Sequence, residues 1–186
     1  MIKNIFLPAI LTMLLSVSST AYSANDNLIT DNGVGSVKLG MTYNQVKSIL
    51  KSYKSNLYTG DCNSSEFSGL IFKIGTTGNI GVSDLSCNKS KIVKQINICS
   101  SNFKTKEGIR PGMKMSELLK IYPRLKIEKG MDDIETFSPN TYSNLTIEFM
   151  SNNDGSLIGK YQDAEFNTTN FSKNAKVGCL IIDKRN

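Results

Sequence analysis

Two periodicities alternate along this chain. Val46, Ile49, Leu50 and Tyr53 recur at helical spacing and form one apolar face. Before them, Val37 and Leu39 alternate with polar neighbours, which predicts a short extended piece, and Gly40 permits a turn. Thr42 and Gln45 are spaced as a capping box, and Met41 and Val46 are placed for a hydrophobic staple. A cap of this kind contributes about 1 kcal/mol, so the helix start is locally specified.

The pattern returns 72 residues later. Gly112-Met113 aligns with Gly40-Met41, Glu117 with Gln45, Leu118 with Val46, Ile121 with Ile49 and Tyr122 with Leu50. Pro123 stops this second helix. Lys114 stands where the first copy has its capping threonine, so the second start is weaker.

After each helix the period falls to two. In the first half, Leu70–Ile74 and Ile80–Val82 read as strands around a Gly75–Asn79 turn. Ile92–Cys99 follows, with Ile96 and Ile98 on its buried face. In the second half, Leu145–Phe149 alternates cleanly and Asn152–Gly155 is a turn. Leu157–Tyr161 reads as the returning strand, Asn167–Asn174 as a polar loop and Val177–Ile182 as a final strand. These elements predict an α+β fold: two degenerate helix-plus-antiparallel-strand repeats, 33–104 and 105–186, with helices covering one face of a sheet.

The amino terminus carries a different signal. Lys3 precedes an apolar run, Ile5–Val17, and small residues follow, with Ala21 and Ser23 fitting a small-x-small cleavage pattern. The run is shorter than the roughly 20 apolar residues of a spanning helix. Residues 1–23 are therefore expected to be a signal peptide, and 24–32 a flexible polar leader, loose until Ile29. No cysteine follows the cut, which argues against a lipid anchor, and no later segment is apolar enough to span a bilayer. The mature chain is expected to be soluble and periplasmic or secreted.

Composition narrows the partners. Hydrophobic residues make up 39% of the chain and charged residues 20%, a balance suited to a packed core rather than disorder. The net charge of +6 is mostly scattered lysine, with arginine only at Arg110, Arg124 and Arg185. Nucleic-acid binders concentrate basic residues and use arginine forks, so nucleic acid is not an expected partner.

Cys62, Cys87, Cys99 and Cys179 form an even set in an exported chain, which reads as two disulfides. There is no C-x-x-C spacing and no histidine, so a structural zinc site fits poorly. Four cysteines permit three pairings.

The lack of histidine also removes Ser-His-Asp and Cys-His catalysis. Carboxylates remain: Asp132, Asp133 and Glu135 in one polar stretch, Asp163 and Glu165 in another. Both groups read as solvated loops more readily than as glycosidase-type pairs, which need a buried acid. Gly75–Gly81 lacks the Lys-Ser/Thr ending of a phosphate cradle, and Asn152–Gly155 lacks the remaining ligands of a calcium loop. No metal or other cofactor is expected. Loop aromatics Tyr58, Phe67, Phe137, Tyr142, Phe166 and Phe171 are candidate interface anchors. Gly130–Ser143 is the longest stretch without periodicity. Phe137, Tyr142, Asp132 and Asp133 within it are the candidate contact surface.

The Leu39-Gly40-Met41-Thr42-x-x-Gln45-Val46 run, its second copy and the helix-then-strands order resemble the tandem-repeat fold of the beta-lactamase inhibitor protein. They also resemble a group of bacterial exported proteins with three short motifs. Here those motifs are the Gly33–Thr42 opening, Thr105-Lys106-Glu107-Gly108-Ile109 and Gly178-Cys179. The resemblance implies a Cys62–Cys179 bond, leaving Cys87–Cys99. The scheme Cys62–Cys87 with Cys99–Cys179 stays open. No binding residue carries over from the resemblance.

The expected function is non-catalytic protein binding, as an inhibitor or immunity-type protein acting on an envelope or secreted enzyme. The alternatives are an assembly factor of the bacterial cell envelope and a carboxylate-dependent hydrolase.

Overall fold

The computed structural model describes residues 27–62, 65–84, 90–130, 132–162 and 165–184, side chains excepted over 60–62 and 65–67. Both predicted helices form. α1 spans Tyr43–Ile49 and α2 spans Met115–Ile121. The capping box of α1 is made: Gln45 N–H donates to Thr42 Oγ1 at 3.3 Å, and Thr42 N–H donates to Gln45 Oε1 at 2.8 Å. Lys114 caps α2 without any side-chain hydrogen bond. Lys114→Thr should therefore raise the unfolding free energy by about 1 kcal/mol, read from urea denaturation.

A glycine precedes each helix by the same distance. Gly40 has φ +85° and Gly112 φ +82°, where side chains are strained. Each turn is tied to a later segment in the same way. Gly40 N–H donates to Val93 O at 2.8 Å, and Val93 N–H to Met41 O at 2.8 Å. Gly112 N–H donates to Val177 O at 2.8 Å, and Val177 N–H to Met113 O at 2.9 Å.

Three two-residue strands, β1 (Ile29–Thr30), β2 (Gly33–Val34) and β3 (Val37–Lys38), form a small sheet. Nine others form a large antiparallel one: β4 (Ser55–Cys62), β5 (Ser65–Ile74), β6 (Gly78–Ser83), β7 (Gln95–Ile98), β8 (Ile127–Lys129), β9 (Glu135–Phe137), β10 (Leu145–Phe149), β11 (Asn167–Thr168) and β12 (Val177–Asp183). Their order is β11-β8-β9-β10-β12-β7-β6-β5-β4.

Register explains the core. Leu70, Val82, Ile96, Ile182 and Leu145 stand opposite one another across five strands. Phe72, Ile80, Ile98, Leu180 and Ile147 form the next row but one. All ten are buried, in one cluster with Val46, Met115 and Leu118 of the helices. The alternate positions Ser83, Gln95, Asn97, Thr146 and Glu148 point to the other face. A one-residue slip would exchange the two sets, so the alternation holds the register.

Several expectations change. Within the leader, order is present at Ile29, where looseness was expected to end: Ile29 is buried, and its N–H donates to Lys104 O at 2.9 Å. The expected signal peptide, 1–23, lies outside the described residues. Strand β4 takes up what the sequence left unassigned after α1. Within Gly130–Ser143, read as irregular, Glu135–Phe137 forms β9, and Asn167–Thr168 of the expected polar loop forms β11. The expected strand Leu157–Tyr161 is not one. It keeps an isolated bridge, Gly159 to Phe171, because a side chain takes two of its N–H groups, those of Ile158 and Gly159.

The disulfide pairing is corrected as well. Cys99 is bonded to Cys179, with Cα atoms 4.4 Å apart, which excludes the Cys62–Cys179 and Cys87–Cys99 scheme. Register is the reason. Ile98 faces Leu180 across β7 and β12, so the residues beside them are brought together. Cys62 ends the edge strand β4, and three strands separate it from β12. The open alternative, Cys62–Cys87 with Cys99–Cys179, contains the bond seen. The Cys62 side chain and Cys87 lie outside the described residues.

Candidate functional site

Strand β10 alternates strictly. Leu145, Ile147 and Phe149 are buried, while Thr146 and Glu148 are half-buried on the open face. Glu148 stands opposite Cys179 on β12 and Thr136 on β9. The β10–β12 register then shifts between Glu148 and Phe149, as at a β-bulge. Bulges bend a strand and re-aim its side chains, and Met150 emerges here 55% exposed.

Two grooves meet at this point. One, of about 630 Å³, runs between the β5–β6 turn, Ser100–Asn102 and Pro111, with the Cys99–Cys179 disulfide in its lining. The other, of about 470 Å³, is lined by Asp132, Asp133, Ile134 and Gly155. Glu148, Phe149 and Met150 belong to both. Ile134 is 45% exposed, so with Met150 two exposed apolar side chains stand among the carboxylates of Asp132, Asp133, Glu135 and Glu148.

Burial raises the Glu148 carboxyl above its ordinary value. Among the described residues no cation is within ion-pair distance of it. Asp133 meets Lys129 Nζ at 3.6 Å, but Asp133 is open to solvent and such a pair contributes little.

Glu135 is a different kind of carboxylate. It is 3% exposed and accepts three hydrogen bonds: from Ile158 N–H at 2.6 Å, Gly159 N–H at 2.7 Å and Tyr161 O–H at 2.8 Å. Burial and the bond to Glu135 raise the Tyr161 phenol. Gly159 is needed here, since a Cβ would lie 2.9 Å from Glu135 Oε1 and 2.8 Å from Thr168 Cγ2.

The four predicted contact residues are divided. Asp132 and Asp133 share the acidic groove. Phe137 faces Ile147, on the helix-covered side, and packs edge-on against Tyr122 at 5.1 Å. Tyr142 packs at the core margin and donates its hydroxyl proton to Glu107. Burial and that bond push its phenol up to about 12. Glu148 and Met150 were missed by sequence reasoning. The available signal was a glutamate at an outward position of an otherwise hydrophobic alternation.

Of the second acidic stretch, Asp163 lies outside the described residues and Glu165 is exposed. Asn152–Gly155 is a turn, with Gly155 N–H donating to Asn152 O at 2.9 Å and Asp154 engaged by Ser156. Among the described residues no group of three or more side chains is placed to hold a metal ion, and no helix is long and apolar enough to cross a membrane.

The architecture is thus an α+β one, an open antiparallel sheet whose core cluster includes residues of two short helices, with two grooves that meet at Glu148. No protein-family model matches the chain, and no curated protein sequence matches it. Among solved structures it is similar to the uncharacterized protein yfeY from Escherichia coli. The TM-score is 0.62 and the identity 14%, over 84% of this chain and 99% of that one. A likeness at that identity is one of fold.

Proposed function

We propose that this chain is an exported, non-catalytic protein-binding protein, in its concrete form an inhibitor or immunity protein acting on an envelope or secreted enzyme. One observation carries the reading: two grooves converge on a half-buried Glu148, which meets no cation among the described residues, beside an exposed Met150. The partner presents a basic side chain to Glu148, Asp132 and Asp133, and apolar side chains to Met150 and Ile134. Methionine adapts its shape to such contacts. In a chain of net charge +6, a local concentration of carboxylates selects a basic segment. Glu135, the most buried acid of the two grooves, is occupied by three donors, which favours a structural role over acid catalysis there.

Duplication is part of the same proposal. Its support is the 72-residue offset between the helices, the matching Gly40 and Gly112 turns, and the way strands 4-5-6-7 mirror strands 8-9-10-12 about the β7–β12 pair. Export is supported by the sequence of residues 1–23 and by the disulfide.

The test is capture from periplasmic extract by the immobilised protein, beside the variants Glu148→Lys and Met150→Asp. One soluble enzyme held stoichiometrically and inhibited is the expected result, with each variant weakening it by about tenfold or more. Capture that both variants leave unchanged would sink the reading. Recovery of outer-membrane assembly components would favour the assembly alternative.

Glu148→Gln adds a signed pH test. A carboxyl whose folded pKa is raised binds more protons in the folded state, so its presence lowers stability as pH rises through the window above 4.5. The glutamine variant should be more stable than the parent at pH 7, and the gain should vanish below pH 4.5.

A further inference from the structure

A separate cleft of about 340 Å³ opens at the C-terminal end of α2, on the helix-covered side of the sheet. Ile121, Tyr122, Leu125 and Phe137 form its apolar lining, and Arg124 and Asn140 supply its polar groups. Both polar residues sit on tight turns that contain a proline. Leu125 N–H donates to Tyr122 O at 3.1 Å, closing a turn through Pro123 and Arg124. Tyr142 N–H donates to Pro139 O at 3.1 Å, closing another through Asn140 and Thr141.

The two turns are braced against each other. The Tyr122 hydroxyl meets Thr141 Oγ1 at 2.9 Å, and the Tyr122 ring stands edge-on to Phe137 at an interplanar angle of 64°. The cleft is thus formed before any ligand arrives, which reduces the ordering cost of binding.

Charge and size specify the occupant. Arg124 is exposed, and among the described residues no carboxylate pairs with it. Guanidinium presents a planar fork matched to a carboxylate. A volume of 340 Å³ is near the lower end of the roughly 300–1,000 Å³ found for ligand sites. It has room for one large apolar side chain with its backbone. We propose that this cleft binds the C-terminal residue of a polypeptide. The residue's apolar side chain lies against Tyr122 and Phe137. Its terminal carboxylate is held by Arg124, with the Asn140 amide as a second donor. Capture of a chain end by fixed donors is a recurrent mode of peptide recognition. This proposal stands apart from the grooves at Glu148, with which the cleft shares no lining residue.

Titration followed by amide chemical shifts provides the test. The probes are acetyl-Gly-Gly-Phe as free acid, the same peptide as its C-terminal amide, and decanoate. The free acid should shift the amides of Leu125, Phe137 and Asn140 saturably. Loss of either partner of the charge pair, by amidating the peptide or by Arg124→Ala, should weaken binding about tenfold or more. Arg124 is on the surface, so the alanine variant should keep the parent spectrum elsewhere. Equal shifts with acid and amide, unchanged binding by the variant, or no saturable shift would each overturn the proposal. Tighter binding of decanoate than of the peptide acid would overturn the assignment of a polypeptide end.

Discussion

Replacing Cys99 and Cys179 together by alanine should lower the unfolding free energy by about 4 kcal/mol, because the bond closes a loop across a sequence separation of 80 residues. The loss should appear as a lower urea midpoint and as a melting temperature reduced by roughly 10 °C. Both sulfurs are half-buried in the lining of an open groove, so their removal leaves no closed cavity in the core. The rows of Ile96, Ile98, Leu180 and Ile182 beside them stay packed. The effect is therefore one of crosslinking, acting largely by restricting the unfolded chain. The bond also joins β7 to β12, the strands at which the two mirrored sets meet. A loss below about 1 kcal/mol would mean that the antiparallel ladder alone holds that junction and that the loop-closure account is wrong here.

The readings that survived rest on local rules. The capping box at Thr42 and Gln45, the Gly40 and Gly112 turns and the two helices follow from neighbours within a few residues, and they form as expected. Strands β5, β10 and β12 alternate strongly enough to be found without a partner. Strands β8, β9 and β11 are two or three residues long, and only pairing with one another and with β10 makes them strands. No window of sequence holds that information. The disulfide failed for a related reason. Its pairing depends on which strands become neighbours, and short motifs such as Gly178-Cys179 do not encode strand order. Asp132 and Asp133 were legible as an acidic pair, but their groove needs Glu148 and Met150, at the end of a strand that the alternation identified without showing what its outward side chains would meet.

Glu135→Ala should cost about 3 kcal/mol, while Asp132→Ala and Asp133→Ala stay within about 0.5 kcal/mol of the parent. The three acids lie within four residues of sequence, yet their surroundings differ. Asp132 and Asp133 are exposed. Glu135 is buried and takes the N–H groups of Ile158 and Gly159 together with the Tyr161 hydroxyl, which leaves three donors without an acceptor once the carboxylate is gone. Glutamine at 135 keeps the shape but turns one acceptor into a donor, so it recovers only part of the loss. Hydrogen exchange separates this account from general destabilisation. The Ile158 and Gly159 amides should lose protection in Glu135→Ala beyond the change in global stability, and those of Ile96 and Ile182 should follow the global change alone. If Ile158 and Gly159 kept their protection, another acceptor would have to hold that segment. The side-chain clamp also accounts for why Leu157–Tyr161, patterned as a strand, keeps only an isolated bridge: two of its N–H groups, those of Ile158 and Gly159, are already engaged by a residue that sequence alone had grouped with the solvated acids.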